Sequence, residues 1–505
     1  MLSPSGHSVA VRARQLSRSK SLGAVWAFWF LLVLAGGVSC DAQDDVTTQN
    51  ASSAMDGAWI TGPASSPLSY LNGPAYRTWG STEPYAIADF HPAADLDEKL
   101  PGWMVFETEE RFRGEQFSNA AFQAGDSDSY LLNLLRVQAD LRASSWFRFS
   151  AQLQDARPFF EQPPIGPPNE NRWDLKLAYA EIGDPSRQWF SVRVGRQMIN
   201  YNNTLIANSE WRNQGRSYDA AVMNLQSHGY HLGIFAASVV KPLPSGVSHH
   251  QQGNYVYGMY AWMKGPFANT SIEPFVLGRV QPSAVIATAG FSATGKQNMK
   301  AWGLRWKGQT ASGIEYSAEG VAENGVTAKV PIRAWATTGG AAYRFDIPGH
   351  PRLFAQYDFA SGAGAGSTTH GTFDSIYPTA HDRFGILDLF GWQNIHAVRS
   401  GITVEPHHRW SVSTQGLDFR SAKLTDAVYD SSGSPLARNA TPRSSHVGVE
   451  LDAYSWYELN RHFNIGAGYG WFGGGNFLSR PGGSHAYSSS YIVVNFKDHG
   501  RVERE

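Results

Sequence analysis

Period-two alternation restricts the fold of this chain more than any other feature. In "WMVFETEERFRGE" (103–115) one set of alternate positions holds Glu107, Glu109, Arg111 and Arg113, and the other holds Met104, Phe106, Thr108 and Phe112. Side chains two apart share a face of an extended strand, so this segment reads as a strand with one wet and one apolar face. The pattern returns with Arg136, Gln138, Asp140 and Arg142 against Leu135, Val137, Ala139 and Leu141, then with Arg148, Ser150, Gln152 and Gln154 against Phe147, Phe149, Ala151 and Leu153. Further copies set Ser191, Arg193 and Gln197 against Phe190, Val192 and Val194, Arg305 and Lys307 against Trp302, Leu304 and Trp306, and Glu315, Ser317 and Glu319 against Ile314 and Tyr316. A soluble sandwich also alternates. Here, however, aromatic residues gather at strand ends like an interfacial girdle, and mixed charges run in line along the wet faces, as ion-pair networks across a lumen would.

Composition fits a transmembrane barrel. The chain has 505 residues, 17% charged and 13% aromatic, with 51 glycines. Its mean hydropathy of −0.33 is not that of a hydrophobic protein, because each lipid-facing residue of such a barrel alternates with a polar one. A net charge of −1 supplies no global field for nucleic acid or for an anionic surface.

The N-terminus reads as a secretory signal. Arg12, Arg14, Arg18 and Lys20 precede "LGAVWAFWFLLVLAGGV", small residues and "DAQDD", which places cleavage near 39–42 and a signal peptide over 1–42. Cys40 is the only cysteine, which leaves lipidation as one role for it and excludes an intrachain disulfide. Residues 43–100 are rich in Ser, Ala, Pro and Gly and read as an extended N-terminal segment. Residues 101–496 carry the alternation, and 497–505 form a polar tail. No segment after the signal offers about 18 uninterrupted apolar residues, so a helical membrane bundle is excluded.

Turn signals fall at "GDPS" (183–186), "NGV" (324–326), "IPGHP" (347–351) and "EPHH" (405–408), and longer polar stretches at 155–172, 241–253, 281–299, 360–382 and 425–445. Short turns alternating with long loops is the asymmetry of outer-membrane barrels. At about 20–25 residues per strand and connection, 101–496 accommodates roughly 16–20 antiparallel strands, a size that leaves a lumen. The expected fold is all-β, a large transmembrane antiparallel barrel of that size.

Two stretches carry a more specific signal. "VGRQMINYNNTLIANSEWRNQGRSYDA" (194–220) and "YPTAHDRFGILDLFGWQNIHAVR" (377–399), with the alternating segments around them, resemble the alginate-export family of outer-membrane β-barrels over most of 101–496. The resemblance implies an 18-stranded monomeric barrel whose arginine-rich constriction passes an anionic exopolysaccharide, assisted by a periplasmic scaffold and inner-membrane synthesis machinery. Family members commonly carry a Tyr-Gly pair after "GRQ" and an arginine before "LI"; here Tyr201 is followed by Asn202, and Thr204 precedes Leu205. Phe496 supplies the aromatic strand terminus, followed by Lys497–Glu505.

Permanently charged, planar guanidinium forks suit the carboxylates of a uronic-acid chain. The candidate substrate-binding residues are therefore Arg193, Arg196, Arg212 and Arg216, with Arg136, Arg148, Arg305 and Arg399. Glu210, Asp219, Glu107, Glu109 and Asp140 would form the supporting lumen network. A lumen that binds nothing also needs its buried charges paired, so the same ladder has a purely structural interpretation. Likewise Tyr377, His381, Asp382 and Arg383 either line the pore mouth or, as favoured here, fix a loop. On a strand the neighbouring histidines His249/His250 and His407/His408 would point to opposite faces; a turn could bring either pair together, but no shared metal is expected.

There is no Gly-x-Ser-x-Gly elbow and no phosphate loop of Walker spacing. A lipid hydrolase would place a Ser/His pair on a lipid-facing alternation, and the sequence offers none. The expected function is a passive, electrostatically selective pore for an anionic polysaccharide or related anionic solute. The alternatives are a general porin for small anions and a non-conducting structural barrel. Expected partners are the solute, outer-membrane lipid, the periplasmic scaffold and barrel-assembly machinery, with no nucleic acid, no cofactor and no metal.

Overall fold

A computed structural model describes residues 92–499 apart from 163–168, 184–188, 202–204, 268, 289–290, 380, 382, 438–443, 461 and 479–484. The expected signal peptide with Cys40, the segment 43–91, Asp382 and the tail beyond residue 499 lie outside the described residues. Residues 92–100, expected to be extended, include a short helix α1 (Pro92–Asp97) that precedes the first strand. Its Ala93 N–H donates to Asp498 (2.8 Å), and Asp97 accepts the Phe106 N–H (2.9 Å), so the helix covers backbone groups where the first strand runs beyond its neighbour.

Twenty strands follow. They are β1 (Met104–Ser118), β2 (Asp128–Ser144), β3 (Phe147–Phe159), β4 (Asn171–Ile182), β5 (Phe190–Gln197), β6 (Tyr218–Ser227), β7 (Tyr230–Lys241), β8 (His249–Lys264), β9 (Thr270–Thr288) and β10 (Phe291–Gln309). The chain continues through β11 (Glu315–Thr327), β12 (Val330–Arg344), β13 (Arg352–Ala360), β14 (Ile395–His407), β15 (Trp410–Ser421), β16 (Val428–Tyr429), β17 (Pro435–Ala437), β18 (His446–Glu458), β19 (Phe463–Gly474) and β20 (Tyr487–Asp498). Eighteen of them form one antiparallel up-and-down sheet, while β16 and β17 make a small hairpin in the connection from β15 to β18. β20 returns to β1, with Arg111 opposite Asn495 and Phe112 opposite Val494. Closure leaves no open edge, which is the condition for a sheet to stand in lipid.

Alternation separates the two faces as the sequence requires. On β1, Arg111 and Arg113 are buried while Phe112 between them is 47% exposed; on β10, Trp302, Leu304 and Trp306 project outward. Trp103, Trp146, Trp189, Trp410 and Tyr457 are exposed near the short-turn rim, as an aromatic girdle there would be.

Two local expectations are corrected. The stretch 281–299 is not a loop, because β9 and β10 pair through it, up to Phe291 opposite Thr288. "NGV" lies inside β11, and the chain turns two residues later at Ala328 and Lys329, both with positive φ (47° and 68°), the twist that suits a two-residue hairpin. Polar composition misled in both places because these strands are long. His407 and His408, which a strand would set on opposite faces, have ring centroids 4.0 Å apart, since β14 ends there and the turn swings one ring toward the other.

The lumen holds a hydrophobic core beside its charged wall. Inward-facing Val222, Phe235, Val256, Phe275 and Leu277 pack with Leu205, Ile206, Phe373, Phe390 and Trp392, which belong to the connections 198–217 and 361–394. Those two connections fold into the barrel, and removing their side chains from water favours the inward position.

Candidate functional site

The 198–217 connection leaves β5 and divides in two. Its first half is apolar: Tyr201 stacks on Phe235 (5.0 Å) and Tyr260 (5.6 Å), while Leu205 and Ile206 are fully buried against the β6–β10 wall. Its second half crosses to the charged wall. There Arg111 donates to the carbonyls of Glu210 (2.8 Å) and Arg212 (2.9 Å), Lys176 to Gln214 (2.5 Å), and Asn213 to the Asn133 carbonyl (3.0 Å). Arg113 donates to the Trp211 carbonyl and lies 4.3 Å from the Trp211 ring. A loop buried inside a barrel cannot leave its carbonyls unpaired, and cationic donors from the wall satisfy them.

The 361–394 connection is held mainly by acids of the wall, with Arg279 contributing a cation. Arg383 donates to Asp358 (2.7 Å) and covers the Trp392 ring at 4.1 Å. Glu323 accepts the Asp374 N–H (3.0 Å), Glu450 the Leu387 N–H (3.1 Å) and Asp452 the Ile386 N–H (3.2 Å). Arg279 pairs with Asp374 and donates to the Ile376 carbonyl (3.0 Å). Gly385 has φ +89°, and a Cβ there would run into the Glu450 carboxylate.

The two connections also hold each other. Tyr377 pairs with Ile206 in a short parallel bridge, its carbonyl accepting from the Ala207 N–H (2.9 Å) and its N–H donating to the Leu205 carbonyl (2.9 Å). Trp211 stacks on His381 at 4.0 Å with the rings 7° from parallel, and His381 in turn meets Asp388 at 3.1 Å. Tyr377, His381 and Arg383 thus fix the loop in place.

Most of the candidate arginines are engaged by the protein itself. Arg136 meets Glu210 (2.5 Å), Glu109 (3.2 Å) and Gln154 (2.9 Å). Arg148 and Arg193 share Glu181 (2.6 and 3.1 Å), and Arg193 also covers the Tyr179 ring at 4.4 Å. Arg305 approaches Glu319 (3.9 Å) beside the Lys307–Glu273 pair (2.6 Å). Arg399 is fully buried and donates to Gln415 (2.8 Å). Arg216 donates to the carbonyls of Ala207 (2.8 Å) and Tyr377 (2.7 Å). Glu107 lies 3.6 Å from His499, and Asp140 accepts from Ser150 and from Gln138 (3.0 Å). Arg212 has no carboxylate within ion-pair distance among the described residues. Burial, with a smaller push from Arg216, draws its guanidinium below the ordinary range.

Arg196 and Asp219 are not in the lumen. They pair with each other (2.8 Å), and an unbroken register puts Arg196 on the same face as Val194, which is 55% exposed on the outer wall. Charge content suggested a lumen position for the whole stretch, whereas period two assigns Arg193 and Gln197 inward and Arg196 outward.

Water reaches the charged groups unequally. Arg148, Glu107 and Glu109 keep 23%, 26% and 29% of their side-chain surface, whereas Arg136 keeps 3%. The wetter groups lie toward the short-turn end and the drier ones beside the inward loops. Sequence reasoning anticipated Arg383 as a loop-fixing residue but missed its partner Asp358 and the acids Glu450 and Asp452. Asp358, Glu450 and Asp452 fall on buried alternate positions of β13 and β18, so period two marks them as inward, but no local pattern says what they receive. Among the described residues no group of three or more His, Cys, Asp or Glu is placed to hold a metal ion.

Comparison with known proteins agrees with this architecture. The model of the alginate export family matches residues 103–491. No curated protein matches the chain significantly. Similar solved structures include Pseudomonas aeruginosa OpdO, with TM-score 0.53 and 10% identity over 79% of this chain and 98% of that one. P. aeruginosa OccK1 (OpdK) gives TM-score 0.52 and 10% identity, and OpdK with vanillate TM-score 0.51 and 9% identity, each over 78% of this chain and 98% of the other. At such identities the likeness is one of fold.

Proposed function

The chain belongs to the alginate export family, and from that premise we propose that its pore passes an anionic, alginate-like polysaccharide or a related anionic solute. It is a transport pore of the Gram-negative outer membrane, not an enzyme. The observation that supports the finer reading is the set of fixed guanidinium groups on the inner wall, the partly wet Arg148 with Arg193 on Glu181, and Arg305 on β10. Rigid, paired arginines present hydrogen-bond donors to a carboxylate without having to be reorganised. Intervening acids keep each contact weak enough for a charged chain to move on, which is what passive conduction requires. Diffusion through the short-turn half would be selected by charge, and the two inward connections would control passage through the other half.

Those same connections favour a second reading, a porin for small anions, because they fill much of the outer half of the lumen. A planar bilayer holding the refolded barrel under a salt gradient separates the two. Anion-selective current blocked by added polyuronate is expected for the first. Anion selectivity untouched by the polymer supports the second, and a silent barrel overturns both.

A further inference from the structure

We propose that the outer rim of the barrel between β13 and β18 is a docking site for the phosphorylated sugar headgroup of an outer-leaflet glycolipid. Four residues lie side by side across the strands there: Phe359 opposite His396, His396 opposite Arg420, and Arg420 opposite His446. Phe359, His396 and Arg420 face outward with Tyr357 and Val398, which are 42% and 52% exposed, and across a register shift His446 turns to the same side, where it meets Asp418. Asp418 joins the row from below, accepting from Arg420 Nε at 2.9 Å and meeting His446 Nε2 at 3.0 Å. Tyr357 Oη meets His396 Nδ1 at 2.6 Å. Tyr357, His396, Val398, Asp418, Arg420 and Leu424 border a groove of about 420 Å³.

Height decides what the groove meets. Trp410, in the girdle at the short-turn rim, lies ten residues before Arg420 on the same strand. At about 3.4 Å per residue and a tilt of about 40°, that separation rises roughly 26 Å, close to the apolar band of about 25 Å. Arg420 therefore sits at the outer headgroup boundary, where an outward charge costs least. Its Nε is turned to Asp418, and among the described residues its terminal nitrogens remain for a ligand, a geometry suited to phosphate. Asp418 would repel a bare phosphodiester but accept sugar hydroxyls, as would the imidazole and phenol beside it. Val398 and Leu451 continue the path downward for acyl chains.

Native mass spectrometry of the purified full-length barrel, titrated in detergent with bis-phosphorylated lipid A, dephosphorylated lipid A and phosphatidylglycerol, tests the site. One tight equivalent of bis-phosphorylated lipid A is expected. Arg420→Gln should weaken it about tenfold, the scale of one charge-assisted contact, and Asp418→Asn should reduce its preference over phosphatidylglycerol. Arg344→Gln, an exposed arginine at the other rim, should leave both unchanged. Heat-modifiable migration on gels establishes that each variant is folded. Equal binding by the folded Arg420 variant, or equal binding of the dephosphorylated lipid or phosphatidylglycerol by the native barrel, overturns the proposal.

Discussion

Arg216 donates to the main-chain carbonyl of Tyr377, 2.7 Å away and 161 residues on in the sequence. The contact ties the two inward connections at the point where their backbones also pair. An arginine that reads from composition as a ligand grip is therefore a bolt between two parts of the pore's own filling.

Removing that bolt should loosen the filling without dissolving the barrel. For Arg216→Ala the loss of hydrogen bonds from a charged donor is worth about 1.5–3 kcal/mol. The expected outcome is a larger or noisier single-channel conductance with normal assembly. A conductance trace identical to the native one would show that the two connections do not limit flow.

Arg383 and Asp358 form a buried pair, 5% and 1% exposed. Arg383→Ala strands a carboxylate in a closed setting, a change that costs about 3–5 kcal/mol. Limited proteolysis should then cut within 361–394 while the strands stay resistant. If cleavage is no faster than in the native protein, the pair does not hold the loop.

Gly385 tests the same dock by geometry. Gly385→Ala combines a left-handed backbone, φ +89°, with a Cβ placed on the Glu450 carboxylate, so the 385–387 segment cannot keep its hydrogen bonds to Glu450 and Asp452. Hydrogen exchange at the Ile386 and Leu387 amides should accelerate strongly. Amides as protected as in the native barrel would show that the segment is not docked there.

Acid should loosen the 361–394 connection at its other end. His370 exchanges backbone bonds with β12 (His370 N to Pro331 O 2.8 Å, Arg333 N to His370 O 3.0 Å), and burial pushes its imidazole below the ordinary value, only partly offset by Asp426. A histidine depressed in the folded state binds its proton more readily when released. Its contribution is therefore intact above about pH 6.5 and is lost as the pH falls through that value. Protection of the Arg333 and His370 amides, corrected for the slower intrinsic exchange at low pH, should fall between pH 7 and pH 5 in the native barrel, with the loss removed in His370→Asn. An equal loss in the variant assigns the effect to other groups.

Alternation along single strands determined the architecture of this protein. Once Arg111 and Arg113 share one face and Phe112 takes the other, the strand must stand between water and lipid, and enough such strands must close on themselves to satisfy their backbones. The outward aromatic residues near the short turns and the inward position of Arg193 or Glu319 follow from a pattern with a range of two residues, while segment lengths bounded the number of strands. What fills the lumen could not follow from it. The Arg216–Tyr377 contact, the docking of Ile386 and Leu387 on Asp452 and Glu450, and the row from Phe359 to His446 join residues far apart in sequence, through a closure that only the whole sheet defines. Arg196 marks the boundary between the two: composition put it inside, one residue of register put it outside, and its partner Asp219 went with it.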